Sequence, residues 1–416
     1  MLYIPFVDKI RKMKIMKKLI FGAIVIFIIS IFFASCSTSK KLVSTSDDEI
    51  AKIKKKYAPD SRVAVFDVAL VKKGKTYILK GETDNPKAKE EVVSFLSSKH
   101  IEYIDSMVVL PQSKLGDKIY GVVRLSVCNM RKEPRHSSEL LTQATLGTPV
   151  KVLKKHKSWY YIQTPDRYLG WVDNAGITLM NVKQRKKMLK EAKLIYTDVY
   201  GTIFSEPADT AMPVADIVQG GIVKLVGLTI DKKYWIVSLP GLESRTAYIE
   251  KDKAMPLKKF YKHEADYNGD DIIHSAVKLL GIPYLWGGTS TKMMDCSGFT
   301  KTVFFRHGIV LPRDASQQVK VGKKITLNWD LSLLEKGDLL FFGKKREDGS
   351  ERITHVAIYM GEGKIIHATG EVKIQSLRRE DPDFAENRLK TLLQARRIAG
   401  FTGQYGIKTI KDTYDY

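Results

Sequence analysis

The sequence predicts a multidomain chain in which a small N-terminal α/β unit and two small all-β barrels precede a C-terminal α+β domain. Three observations carry that prediction. The 416 residues suffice for two to four domains at roughly 100–200 residues each. The apolar pattern changes character near Gly121 and again near Tyr267. Between those points a strand-and-turn pattern occurs twice, at a period of about 75 residues. Hydrophobic residues make up 44% and charged residues 28%, which fits folded domains and excludes wholesale disorder.

The first 56 residues stand outside those domains. Residues 1–18 carry Lys9, Arg11, Lys12, Lys14, Lys17 and Lys18 against Asp8, and Leu19–Ala34 is apolar and uncharged. A basic start, a short apolar run and a small-residue site read as an export signal, because a spanning helix needs about 20 apolar residues. Phe33-Ala34-Ser35-Cys36 resembles a bacterial lipobox. That resemblance implies removal of residues 1–35 and diacylation of Cys36; an uncleaved signal anchor is the alternative. Residues 36–56 read as a tether, polar over Ser37–Ser46 and with a short helix over Asp47–Lys56. Starts at Met13 or Met16 would give a more ordinary signal length. Lys and Arg number 69 against 46 Asp and Glu, a net +23; residues 1–35 hold six of those bases and one acid, so the mature chain keeps +18. Export excludes most nucleic-acid roles, and the charge suits an anionic wall or membrane surface, or simply a solvated one. The three cysteines, Cys36, Cys128 and Cys296, cannot build a disulfide framework and have no metal-ligand spacing. No metal or other cofactor is expected, and Cys128 reads as a small buried hydrophobe.

Residues 57–115 read as a β-β-α-β unit. Runs over Ala64–Val71 and Thr76–Lys80 flank Lys72-Lys73-Gly74-Lys75, a hairpin turn. Asn85-Pro86 opens a helix to about Lys99, with Val92, Val93, Phe95 and Leu96 on its apolar side, and Ile101–Pro111 supplies a further strand. No constellation in this unit carries chemistry.

Residues 116–180 and 194–262 read as the two barrels, joined by a basic helical linker over 181–193. The first contains VCNMRKEP, TLGTPVKVLKK and SWYYIQTPDRYLGWVD; the second contains VYGTIFSEPAD, IVQGGIVKLVG and KYWIVSLPGLESRTAYIEKD. Aligning Gly147 with Gly221, Trp159 with Trp235 and Gly170-Trp171 with Thr246-Ala247 gives the repeat. Both copies resemble bacterial SH3-like modules, and the second lacks the Tyr168-Leu169-Gly170-Trp171 turn.

Residues 263–404 form the last domain. An amphipathic helix over Asp270–Leu280 ends at Gly281 and Pro283, and a Gly-rich turn, Leu285-Trp286-Gly287-Gly288, follows. A second helix begins at Asp295-Cys296, and Leu339–Phe342, Thr354–Tyr359, Lys364–His367 and Val372–Gln375 read as strands. The start of a helix favours a thiolate and offers free N–H groups to an oxyanion, so Cys296 is placed as a nucleophile. His355 follows it by 59 residues and His367 by a further 12, on strands joined by Gly361-Glu362-Gly363. Paired strands can bring the two imidazoles together, one as base and the other orienting it.

Pro283-Tyr284-Leu285-Trp286-Gly287-Gly288, Asp295-Cys296-Ser297-Gly298, Leu311-Pro312-Arg313-Asp314, Gly337-Asp338-Leu339, Thr354-His355-Val356-Ala357-Ile358-Tyr359 and Ile366-His367-Ala368 together resemble the NlpC-type papain-like cell-wall cysteine peptidases. The resemblance implies a triad in which Cys296 attacks, His355 is the base and His367 orients it, with Tyr284 helping the oxyanion. The two SH3-like modules narrow it to gamma-D-glutamyl-L-diamino acid endopeptidases that act on free muropeptides. For that subgroup the resemblance implies that Asp295 and Tyr168 hold the ammonium of the peptide, together with an acid from the first barrel, Glu133 or Glu139. Ser297 and Asp314 are further candidate peptide contacts.

The expected partner is therefore a murein peptide, L-Ala-D-Glu-diamino acid, met by a monomer anchored through lipid at the periplasmic side of a membrane, the outer one by the Ser37 that follows Cys36. Two other readings stand beside this one. The chain could be a wall-binding tether with an inactive last domain, or an amidase or acyltransferase on the same fold. The intact Cys, His, His and Tyr oppose the first; the triad alone does not separate the second.

Overall fold

The computed structural model describes residues 45–74, 76–263, 267–328 and 331–414, with Met13 and Met16. The apolar run Leu19–Ala34 and the expected lipidation site Cys36 lie outside the described residues. No helix among the described residues is long and apolar enough to cross a membrane. The chain divides into two units, Met1–Leu110 and Pro111–Tyr416.

In the first unit, strand Phe66–Lys73 pairs antiparallel with Thr76–Thr83. The turn between them holds Gly74 at φ +63°, where a side chain would be strained. Asn85 caps the helix Pro86–Ser98, accepting from the Lys87 N–H, and proline occupies the first turn. The helix returns the chain to Tyr103–Val109, which lies parallel to Thr76–Thr83. Ala88, Val92 and Leu96 close over Leu70 and Leu79. Residues 45–57 are helical and bury Ile50 and Ile53 in this same core. The expected tether over 36–56 therefore gives way to packed structure from residue 45. The two isoleucines lie three apart, one face of a helix, amid lysines that mask the pattern.

The second unit begins with the two barrels. The first is built from Tyr120–Val123, Val127–Arg131, Leu140–Thr145, Pro149–His156, Trp159–Gln163, Leu169–Asp173 and Ile177–Met180. The second uses Lys193–Tyr196, Tyr200–Phe204, Pro213–Val218, Ile222–Leu228, Tyr234–Ser238, Ala247–Glu250 and Ala254–Pro256. Counted within each barrel, the neighbour order is 7-1-4-5-6-2-3 in both. The equivalence differs slightly from that read in the sequence. Gly147, at φ +80°, donates its N–H to Val123 O, and Gly220, at φ +83°, donates to Tyr196 O. The structural partner of Gly147 is thus Gly220, not its neighbour Gly221. Cys128 is buried in the core of the first barrel.

The barrels share a core residue. Leu146, at the tip of a first-barrel turn, is 1% exposed and packs among Leu194, Val223 and Val237 of the second barrel. Ile222 N–H donates to Leu146 O at 2.8 Å. A Cβ on Gly147 would fall 1.8 Å from Ile222 O, so only glycine permits this approach. The linker helix Val182–Lys190 starts with a capping box between Asn181 and Gln184 and buries no side chain, which fits a connector and not a core element.

The last domain packs helices Gly269–Val277 and Cys296–Phe305 on a six-stranded antiparallel sheet. The sheet runs Lys323–Ile325, Leu392–Arg397, Leu339–Lys345, Glu351–Gly361, Lys364–Thr369, Glu371–Ser376. Phe299, Val303 and Phe304 meet Phe341, Val356 and Ile358 in its core. The packed domain continues beyond residue 404: Ile407 joins that core, and Ile410 joins a cluster with Val310 of the domain and Ile195 and Ile222 of the second barrel.

Leu146→Ala removes a side chain that both barrels need. The expected cost is about 3 kcal/mol, read as a lower urea midpoint for the second unit. A change under about 0.5 kcal/mol, the size of an ordinary surface substitution, would show that the barrels do not depend on this contact.

Candidate active site

The site is organised from the first turn of helix Cys296–Phe305. Asp295 is its N-cap, and one carboxylate oxygen accepts from Gly298 N–H at 2.7 Å and Ser297 Oγ at 3.2 Å. The other oxygen accepts from Gly287 N–H at 3.0 Å, which ties the Gly-rich turn to the helix start. Gly298 is required there, because a Cβ would lie 2.0 Å from Gly288 O. Arg313 completes the cap. Its two Nη groups donate to the two oxygens of Asp295, and Nη1 also donates to Ser297 Oγ at 2.9 Å.

This geometry gives Asp295 a structural task beside the ammonium contact expected of it. Both of its oxygens are already engaged by N–H and O–H donors, and its charge is balanced by an arginine 2% exposed. The carboxylate that does meet the first barrel is Asp314, which accepts from Tyr168 Oη at 3.0 Å. Ser297 is buried beneath the cap, its hydroxyl taken by Asp295 and Arg313, so the structure gives it to the cap and not to the cleft surface. Glu139 accepts from Trp286 Nε1 at 3.2 Å across the same interface, whereas Glu133 pairs with Arg135 at 2.8 Å within its own turn.

The barrel is docked by further polar contacts. Arg313 Nε donates to Thr142 Oγ1 at 3.0 Å, and Gln143 Oε1 accepts from Thr289 N–H and Ser290 Oγ, each at 3.0 Å. Lys301, on the nucleophile helix, pairs with Asp166 at 3.0 Å, both nearly buried. That ion pair holds the turn bearing Tyr168.

On the opposite wall, His355 and His367 lie on neighbouring strands. His355 Nε2 is 2.7 Å from His367 Nδ1, and His367 Nε2 is 2.9 Å from Gln375 Oε1. A carbonyl oxygen only accepts, so His367 donates from Nε2 and its bare Nδ1 accepts from His355 Nε2–H. His355 Nδ1 is left with its lone pair, the form a general base needs. Gln375 was not singled out in the sequence; on an alternating strand a glutamine reads as a solvent-facing residue.

Burial, then the charge of Arg388, then His367 hold His355 well below its ordinary value. Burial and Arg388 likewise bring His367 down to about 4. Burial first and Asp295 second push the Cys296 thiol up to about 11, opposed by the Val356 N–H, Arg313 and the Ser297 N–H. At neutral pH the resting pair is thus a thiol and a neutral imidazole. Burial outweighs the pull of the helix start that the sequence suggested. Tyr284, half-buried, is pushed up to about 12 by burial and then by Cys296 and Asp295, so it stays a hydroxyl able to donate. Among the described residues no group of three His, Cys, Asp or Glu gathers as around a metal ion.

A thiol at a helix start, a histidine pair fixed in one tautomer and a phenol beside them define a papain-like cysteine peptidase. Residues 281–387 match the NlpC/P60 family and residues 126–178 match the bacterial SH3 domain. A gamma-D-glutamyl-L-lysine dipeptidyl-peptidase of Bacillus cereus is 30% identical over 263 residues, covering 60% of this chain and 74% of that one. Dipeptidyl-peptidase 6 of Lysinibacillus sphaericus is 23% identical and is covered over 97% of its length, with 65% of this chain. A crystal structure of an NlpC/P60 family protein from Bacillus cereus superposes with a TM-score of 0.56 at 24% identity, over 67% of this chain and 99% of that one; it shares the fold. The chain belongs to the NlpC/P60 family and is a cysteine peptidase.

Arg313→Ala leaves Asp295 buried without its counter-ion. The expected loss is about 3–5 kcal/mol, measured by urea unfolding. A loss below about 1 kcal/mol, the level of an exposed pair, would show that Arg313 is not the partner that holds this cap.

Proposed function

We propose that this chain is an exported, lipid-anchored cysteine endopeptidase that hydrolyses the gamma-D-glutamyl-L-diamino acid bond of murein peptides bearing a free N-terminal L-Ala. The contact between Tyr168 and Asp314 carries the reading, because it brings a first-barrel side chain to a carboxylate at the catalytic domain. The names of the Bacillus and Lysinibacillus relatives support the bond and the cell-wall setting.

In this reading Cys296 Sγ attacks the scissile carbonyl while its proton passes to His355 Nδ1. His367 and Gln375 hold the base in the required tautomer. The N–H groups of the first helical turn and the Tyr284 hydroxyl receive the developing oxyanion. The protonated His355 then gives its proton to the departing amine, and water releases the thioester. Asp314, with Tyr168 beside it, takes the ammonium of L-Ala, which sets the attacked carbonyl two residues along the peptide. Acetylation would remove the positive charge and its charge-assisted contact, and would add bulk where the N-terminus is held.

The test is kcat/KM on L-Ala-D-Glu-diaminopimelate against its N-acetyl form, with product masses. Wild type should lose about a hundredfold on acetylation, the equivalent of about 3 kcal/mol. Asp314→Asn should lose most of that discrimination, and Cys296→Ala should be folded and inactive. Equal rates on the free and acetylated peptides would refute the gate. Hydrolysis of another bond, or transfer without hydrolysis, would point to the amidase or acyltransferase reading.

We also propose that Cys36 is acylated and holds the enzyme at the periplasmic side of the outer membrane, two acyl chains being what stable anchoring takes. Intact-mass measurement on membrane-extracted protein should give a chain beginning at Cys36 with acyl mass added. A mass that retains residues 1–35 would count against the anchor.

A further inference from the structure

Arg388 lies in the short helix Glu386–Thr391, against strand Leu339–Lys345. Its guanidinium carbon stands 5.8 Å over the ring of Phe342. That ring is 1% exposed and lies 5.7 Å from the imidazole of His355. The cation and the catalytic base thus lie against the same aromatic ring, and the charge of Arg388 also bears on Cys296 and Tyr284. The side chain is half-buried. Among the described residues no carboxylate lies within ion-pair distance of it; Glu386, on the same helix, pairs with Lys390 instead. Arg313 and Arg397, by contrast, each grip an aspartate.

A partly desolvated guanidinium with no counter-ion carries an electrostatic cost. An anion arriving beside it would relieve that cost, and arginine presents its donors in a fork that suits a carboxylate. We propose that Arg388 anchors a carboxylate of the substrate that flanks the scissile amide. The proposal rests on the gamma-glutamyl reading. In a gamma-linked peptide the α-carboxylate of D-glutamate remains free, three carbons from the attacked carbonyl. A terminal diamino acid supplies a second carboxylate, one carbon from the departing nitrogen. Either lies within reach of a group beside the nucleophile and base.

The experiment uses the purified full chain and three peptides: L-Ala-γ-D-Glu-L-Lys, its form with the glutamyl α-carboxylate amidated, and its form with the lysine carboxylate amidated. Wild type, Arg388→Gln and Arg388→Lys are compared by kcat/KM, with thermal melts alongside. Arg388→Gln should lose about 10- to 100-fold on the parent peptide, the range expected for a charged hydrogen bond. Wild type should lose a similar factor on one of the two amidated peptides, and Arg388→Gln should lose nothing further on that one, which names the carboxylate. Arg388→Lys should fall between. Equal kcat/KM for wild type and Arg388→Gln on the parent would overturn the proposal. So would the same factor lost on all three peptides, because the guanidinium would then be acting on the thiol and not on the substrate. If Arg388→Gln does not fold, the wild-type arm decides: no loss on either amidated peptide overturns the proposal. No turnover of the parent by wild type would refute the gamma-glutamyl reading and this proposal with it. Turnover by wild type with an indifferent variant refutes the proposal alone.

Discussion

The ion pair between Arg313 and Asp295 is the constraint on which the site depends. One buried guanidinium binds the cap of the nucleophile helix, the Ser297 hydroxyl in its first turn and Thr142 of the first barrel. The cap in turn holds Gly287, and with it the turn that carries Tyr284 and Trp286 towards the cleft. Helix start, Gly-rich turn and barrel thereby all meet at one ion pair. The same pair has a chemical cost. The carboxylate beside Cys296 disfavours the thiolate, and Arg313 offsets this only in part. The resting nucleophile therefore keeps its proton, and a neutral His355 waits to take it.

The barrels matter to the chemistry through rigidity. Leu146 roots the first barrel in the core of the second, and Ile410 ties the second to the catalytic domain. The Tyr168 turn is held between these anchors by the Lys301–Asp166 pair. A side chain on a turn of a separate module can then sit at hydrogen-bond distance from Asp314. Site geometry on loops is precise only where the loops are packed, and here the packing is supplied from three directions.

Much of this was legible in the sequence, and the parts that were not share a cause. Short-range chemistry showed plainly: a cysteine after a Gly-rich turn, histidines on strands joined by a tight turn, and a strand pattern repeated in two barrels. What depended on side-chain direction between distant segments did not. Asp295 reads as a free acid beside a thiol until Arg313, 18 residues on, is seen to face it. Gln375 is indistinguishable from an exposed strand residue until His367 is placed across from it. Arg388 is one of 69 Lys and Arg residues and follows no motif. The repeat was aligned through Gly221, and the backbone hydrogen bonds move the equivalence to its neighbour Gly220. A short helix over Asp47–Lys56 was legible, but not the packing of Ile50 and Ile53 in the first unit's core, because two apolar positions among charges do not name a partner.

The burial of Leu146 in the second barrel also bears on how the chain is made. Synthesis runs from the N-terminus, so the first barrel emerges with this leucine uncovered and stays incomplete until residues 194–256 follow. Thr142 and the Tyr168 turn must wait longer, for Arg313, Asp314 and Lys301. Ile407 and Ile410 join later still. The cleft is therefore completed only after both barrels have supplied the surface on which it closes.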